Sequence, residues 1–291
     1  MIFWRTYNNK IYPLHEVKSG EMGFPIKDPS YIPDEYLEQE DFIILRTCFG
    51  LGDWGIISAF PRKLKEKYPN CKVWIPSPKL LKEMFGQYQR MWSSWDDPFK
   101  VVHSIFDNNP YVDGFIDSFN GDVFNDHYRI YKYKEQTPLL EQILRFWQFS
   151  DFSNIEPEIY WTEKEKNLSK QIISEYCNSG DFGTLLISNN FKGEGIDKIQ
   201  DKINEFNLPM FYWLANSNIN LDFKKALDFR HVDIRVQMYI KSIAKFNVGN
   251  QSGVNDTIAN YSPTYTVPRI SSNENNNCPL GTDIIKSQHY L

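Results

Sequence analysis

Residues 42–72 read FIILRTCFGLGDWGIISAFPRKLKEKYPNCK, and this stretch decides the fold class. Its apolar run, Phe42 to Leu45, predicts a buried strand. The chain then enters a glycine loop, Phe49-Gly50-Leu51-Gly52-Asp53-Trp54-Gly55, that carries one carboxylate. Beyond it Ile56, Ile57, Phe60, Leu64 and Tyr68 recur at helical spacing, with Arg62, Lys63, Lys65, Glu66 and Lys67 largely on the other side. That pattern predicts an amphipathic helix leading to a second strand. A glycine turn between strand and helix lets the backbone approach a ligand, and the helix start beyond it favours negative charge. Ligands of open α/β sheets bind at such mouths, so Asp53 is the first candidate for chemistry, with Gly50, Gly52 and Trp54 beside it. The plain alternative is that Asp53 only caps the helix. The loop lacks the third glycine of a dinucleotide fingerprint and the Gly-Lys-Ser/Thr ending of a P-loop, so neither cofactor class is implied.

A chain of 291 residues holds one large domain or two of ordinary size. With 41% hydrophobic and 16% aromatic residues it can bury a sizeable core. A net charge of −5 argues against general gripping of nucleic-acid phosphates. Cys48, Cys71, Cys177 and Cys278 form no C-x-x-C pair, which speaks against a zinc or redox motif and for a reducing compartment. No apolar run approaches the roughly 18 residues of a membrane span, and Met1–Tyr7 has no signal-peptide core. The expectation is a cytoplasmic protein, with a peripheral position at a membrane left open.

Strands and helices alternate along the chain. Lys72–Ile75 and Phe99–Ile105 read as strands, Pro78–Phe85 as a short helix opened by Pro78. A turn-rich connection, Asp107 to Asp113, precedes extended structure to Ile116. Pro138–Phe149 has the periodicity of a helix. Residues Asp151–Thr162 read as a linker, after which the alternation restarts. Helix Glu163–Tyr176, strand Thr184–Ser188, helix Gly195–Phe206 and strand Met210–Leu214 come first. Helix Val236–Ala244, strand Phe246–Val248, a helix from near Val254 and strand Thr264–Val267 follow. The reading is α/β with two domains: an extension over 1–40, a first domain over 41–158 and a second over 159–291.

The second half has its own strand-to-helix loop, Asn247-Val248-Gly249-Asn250-Gln251-Ser252-Gly253-Val254-Asn255-Asp256. Ser252 and the amides after Gly253 suit a diphosphate or a sugar hydroxyl; a polar turn with an ordinary cap is the alternative. Lys192 follows the Thr184–Ser188 strand, where it would neutralise a leaving phosphate or simply be solvated. Asp256 would bond a ligand or sit as an acid in the first helical turn. His103, His127, His231 and His289 show no ligand spacing and there is no Asp-x-Asp pair, so no metal is implied. Trp92, Trp95, Tyr128, Tyr131 and Tyr133 would serve packing or the faces of sugar rings.

Taken in order, the Gly-Leu-Gly-Asp53 loop with its Pro61 helix, Asn109-Pro110-Tyr111-Val112-Asp113, Pro157-Glu158-Ile159-Tyr160 and Gly249-Asn250-Gln251-Ser252-Gly253 resemble glycosyltransferase family 9, the bacterial ADP-heptose heptosyltransferases. The resemblance covers roughly residues 42–270. It implies the GT-B fold, two Rossmann-like domains with parallel sheets facing across a cleft. It also implies inverting, metal-independent transfer of a sugar from a nucleotide-sugar donor, used as substrate, to a hydroxyl of a glycan, lipid-linked or other acceptor. In that reading Asp53 is the general base and Lys192 meets the donor phosphate, while Gly249, Gln251, Ser252, Gly253 and Asp256 form the donor loop. Gln251 stands where the family has an acid and Asp256 where it has a histidine, so ADP-heptose does not carry over as the donor. A non-catalytic nucleotide-sugar or glycan-binding protein on this fold, and a nucleotide-sugar epimerase, are the competing functions.

Overall fold

The computed structural model describes residues 2–4, 26–27, 41–45, 50–86, 97–119, 123–124, 144, 149–150, 156–177, 180–188, 191, 193–215, 219–267 and 288–291. They fall into two units, Met1–Tyr160 and Trp161–Leu291.

In the first unit the strands are β1 (Ile2–Trp4), β2 (Ile26–Lys27), β3 (Asp41–Leu45), β4 (Lys72–Pro76), β5 (Gly114–Ile116) and β6 (Val123–Phe124). Four of them make a sheet in the order β1-β3-β4-β5. Strands β3, β4 and β5 run parallel, which explains the unbroken apolar run of β3: a parallel strand is covered on both faces. Phe42, Ile44 and Leu45 are fully buried. The lead-in supplies an antiparallel edge, with Phe3 opposite Ile44. Strands β2 and β6 pair separately.

The helices of this unit are α1 (Leu51–Gly55), α2 (Phe60–Lys67), α3 (Pro78–Phe85) and α4 (Pro98–His103). The stretch expected as a glycine loop is itself helical from Leu51 to Gly55, as α1, and the helix expected after Gly55 is a turn over 56–59 followed by α2. Pro61 has no N–H to continue the ladder from α1, so it sits in the first turn of α2 instead. The expected inward face survives the break: Ile56, Ile57, Phe60 and Leu64 are buried, and Tyr68 packs its ring 5.2 Å from Phe42. The strand expected over Phe99–Ile105 is a helix, α4, followed by one 3-10 turn. Asp97 caps it, accepting from the amides of Phe99 and Lys100 at 3.1 Å each, and Pro98 preorganises the first turn. That cap outweighs the β-branched Val101-Val102 pair. The helix expected over Pro138–Phe149 lies almost wholly outside the described residues.

The second unit comprises α5 (Glu163–Tyr176), β7 (Gly183–Ile187), α6 (Ile196–Phe206), β8 (Met210–Leu214), β9 (Ala226–Asp228), α7 (Ile234–Ser242), β10 (Phe246–Asn250), α8 (Gly253–Ile258), β11 (Thr264–Val267) and β12 (Gln288–Tyr290). Six strands form one sheet in the order β12-β11-β10-β7-β8-β9, parallel throughout. Leu185, Ile187, Ile199, Ile203, Met210, Phe246 and Val248 build the core between one face of this sheet and α6. Each such side chain is worth about 2 kcal/mol of burial. Among the described residues no helix is long and apolar enough to cross a membrane.

The stretch read as a linker is anchored where it is described. The Glu158 amide donates to Ser58 Oγ at 2.7 Å, and Arg62 Nε donates to Glu158 Oε1 at 2.6 Å. Tyr160 donates its hydroxyl to the other oxygen of Glu158 at 2.7 Å; burial first, then that carboxylate, push its phenol up. Past the boundary, Trp161 Nε1 donates to the Arg235 carbonyl at 2.9 Å, and its ring meets those of Tyr239 and Tyr261 at 5.3 Å each. Thr162 and Glu165 form a capping box at the start of α5, and Glu165 also holds Arg235 at 2.5 Å. Arg62→Ala is expected to lower urea-unfolding stability by about 2 kcal/mol, the scale of a charged, part-buried hydrogen bond. Glu66→Ala, which removes the half-exposed carboxylate that pairs with both Arg62 and Lys63, is expected to cost about 1 kcal/mol or less.

Candidate functional site

In the first unit the loop after β3 resolves into Gly50, in extended backbone as the N-cap, and the short helix α1. Gly50, not Asp53, occupies the cap position, so the plain capping role for Asp53 fails. Asp53 is half-buried in the first turn, where the peptide dipoles favour a carboxylate. Among the described residues nothing donates a hydrogen bond or an ion pair to that carboxylate. Trp54 does not line a mouth: it is fully buried and sets its ring edge-on to Phe106 at 6.1 Å.

The motif Asn109 to Asp113 is architectural. Asn109 Nδ2 donates to the Ser58 carbonyl at 3.3 Å, and its Oδ1 accepts from the Tyr111 amide at 2.9 Å. Asp113 accepts from the Val73 amide at 2.7 Å and pairs with Lys65 at 2.7 Å, locking the end of α2 to β4. Asn109 and Glu158 thus both close on Ser58, just after the helix that carries Asp53. Ser58, 100 residues from Glu158 in sequence, has no signal that a linear reading could detect.

In the second unit the strand order runs out in one direction from β7 through β8 to β9, and in the other from β10 through β11 to β12. The reversal lies between β7 and β10. Loops leaving the carboxyl ends of two such strands diverge and leave a crevice, the usual ligand position in doubly wound sheets. The loops here are Ser188–Gly195, which holds Lys192, and Gln251–Gly253. Asn250 clamps them together: its Oδ1 accepts from the Ser188 amide at 2.8 Å, and its Nδ2 donates to Ser188 Oγ and the Gln251 carbonyl at 2.9 Å each. The Gln251 amide is held by the Val267 carbonyl at 2.9 Å. Asn255 Nδ2 donates to the Asn250 carbonyl at 2.9 Å from the first turn of α8. Gly249 belongs to the packing beneath: a Cβ there would lie 2.0 Å from the Leu186 carbonyl oxygen.

Ser252 occupies the N-cap position of α8, yet its hydroxyl makes no capping bond. Ser252 Oγ and Asn255 Oδ1 are buried atoms without a hydrogen bond among the described residues. Both retain hydrogen-bonding capacity for a ligand or a water. The side chains of Lys192 and Asp256 lie outside the described residues, as do Trp92, Trp95, Tyr128, Tyr131 and Tyr133. Gln251 is buried within the loop. Among the described residues no group of three or more His, Cys, Asp or Glu is arranged to hold a metal ion. The Gly249–Asp256 loop is visible in the sequence, whereas the roles of Asn250 and Asn255, whose side-chain amides hold it in shape, depend on contacts with Ser188 and the Asn250 carbonyl.

No protein-family model and no curated protein matches this sequence. Solved structures do. A glycosyl transferase family 9 protein from Veillonella parvula superposes with a TM-score of 0.59 at 11% identity, over 88% of this chain and 86% of that one. The E. coli ADP-heptose LPS heptosyltransferase II matches with a TM-score of 0.48 at 9% identity, over 87% of this chain and 90% of that one. An E. coli heptosyltransferase with ADP-2-deoxy-2-fluoro heptose matches with a TM-score of 0.42 at 9% identity, over 86% and 92%. The chain is an α/β protein with the GT-B fold of the family 9 glycosyltransferases.

Proposed function

We propose that this protein is an inverting glycosyltransferase that moves a sugar from a nucleotide-sugar donor to an acceptor hydroxyl without a metal ion. The observation that carries the reading is a carboxylate free of described partners, Asp53, directly after the first parallel strand of a fold shared with a family 9 glycosyltransferase.

Inverting transfer needs a base on the acceptor hydroxyl and support for the departing diphosphate. Asp53 takes the proton of the acceptor hydroxyl as that oxygen bonds to the anomeric carbon. The bond from that carbon to the diphosphate breaks on the opposite side, and its electron pair leaves with the diphosphate. The crevice between β7 and β10 receives the donor. Ser252, the amides following Gly253 and Lys192 meet the leaving diphosphate, while Gln251 bonds sugar hydroxyls. Backbone and hydroxyl donors preorganised in this way take the place of a metal ion. The loop carries neither the acid nor the histidine of the family pattern, so ADP-heptose does not carry over as the donor, and base and sugar are left to the test that follows.

Thermal unfolding against ADP, UDP, GDP, CMP and dTDP and their sugars tests this. The matching nucleotide at about 100 times its Kd is expected to add roughly 2.7 kcal/mol of stability, and the others nothing. No shift with any of them overturns the donor site. A selective shift with sugar turnover in the absence of any acceptor would move the reading to an epimerase.

A further inference from the structure

The sheet face opposite the α6 core is not uniformly apolar. Thr184 on β7, Asn247 on β10 and Thr264 on β11 stand side by side in register across three neighbouring strands. All three are 0% exposed. Thr184 Oγ1 donates to Asn247 Oδ1 at 2.5 Å, Asn247 Nδ2 donates to Thr264 Oγ1 at 3.4 Å, and Thr264 Oγ1 donates to the Ser262 carbonyl at 2.9 Å. The proton of each hydroxyl is thus committed onward along the row. At its head stands Lys241 of α7, also 0% exposed, whose Nζ donates to Thr184 Oγ1 at 2.7 Å.

An ammonium carries three protons and, buried, needs an acceptor for each and a negative partner. Among the described residues Lys241 has one acceptor. The strands beneath it offer, among the described residues, the neutral row. On its own helix the other charged side chain is Arg235, already held by Glu165 of α5. The remaining acids of α5 point to solvent: Glu163 pairs with Lys166, and Glu175 accepts from Gln171. Asp233 before α7 caps it through the Arg235 amide, and His231 and Lys245, flanking the helix, are exposed. The described side chains of α8 are uncharged. Burial accordingly drives the Lys241 amine down to about 7. The row lies at the amino ends of its strands, away from the loops that follow their carboxyl ends, so it takes no part in the transfer site.

We propose that Lys241 is carried as a neutral amine and acts as a proton-linked latch between α7 and the sheet. Taking up a proton leaves a buried ammonium with a single acceptor among the described residues, which favours release of α7 from the row. The sign follows from proton counting. Between about 7 and the unfolded value of 10.5 the unfolded chain binds the proton and the folded chain does not. Stability therefore rises with pH across that window, is full above it, and is lost as pH falls through about 7.

The test uses the full chain with ¹³C-labelled lysine. One Cε resonance, absent from Lys241→Met, is expected to titrate near pH 7 instead of near 10.5. Urea unfolding between those pH values is expected to show a slope larger in the wild type than in Lys241→Met by up to one proton. If Lys241→Met does not fold, Lys241→Gln serves for both comparisons, and the wild-type titration stands alone as well. A Lys241 midpoint near 10, or parallel stability curves for wild type and variant, overturns the proposal.

Discussion

Asp53→Asn is expected to reduce glycosyl transfer by about a thousandfold, the middle of the range for loss of a positioned general base. Asparagine keeps the size and shape of the side chain but cannot accept the acceptor's proton. No described residue bonds to the Asp53 carboxylate, so its replacement leaves no partner stranded in the fold. Neither the melting temperature nor the affinity for the donor nucleotide should move by much. Turnover with a saturating donor, read beside nucleotide titration by calorimetry, checks both halves. Equal loss of binding and turnover would sink the role of base, and unchanged turnover would move the reading to a non-catalytic binding protein.

The largest expected effect on folding is that of Gly249→Ala. The new methyl group would stand 2.0 Å from the Leu186 carbonyl oxygen and 3.1 Å from Asn255 Nδ2, both held by the sheet and by α8. Strand β10 is interior to the sheet, between β11 and β7, so relief requires parting two ladders. We expect a cost of about 3 kcal/mol, at the upper end for overpacking by one methyl. Gly86→Ala is the control: nothing lies within 4 Å of its Cβ position, and it should be neutral or slightly stabilising. Equal denaturation midpoints for the two variants would mean that β10 and β7 yield more readily than their packing implies.

Much of the local structure was legible from short-range pattern. Helix α5 falls at Glu163–Tyr176 as expected, although its buried positions are Ser169 and Ile173 and Leu168 is exposed, and Pro78 opens α3 where expected. Asp53 was legible as a carboxylate following a strand and two glycines. In Phe99–Ile105 the Val101-Val102 pair looks extended, while the deciding bonds come from Asp97, two residues before the segment. Trp54 was misplaced for another reason. It stands between Asp53 and Gly55 in the sequence, and a ring that packs against it, Phe106, comes from the 3-10 turn after α4.

The chain's own order of residues determined that strands and helices alternate, where the restart falls and which loop carries Asp53. Those properties reside in periodicities of two and 3.6 residues and in caps one to three residues away. Only the tertiary structure decided that β7 lies beside β10, so that Ser188 and Asn250 meet 62 residues apart in the chain. It alone decided that Ser58 gathers Asn109 and Glu158, and that Lys241 is enclosed against a row of neutral side chains. Such contacts depend on which distant strands pair and which faces are covered, and burial of the whole chain, not the spacing of near neighbours, selects among them.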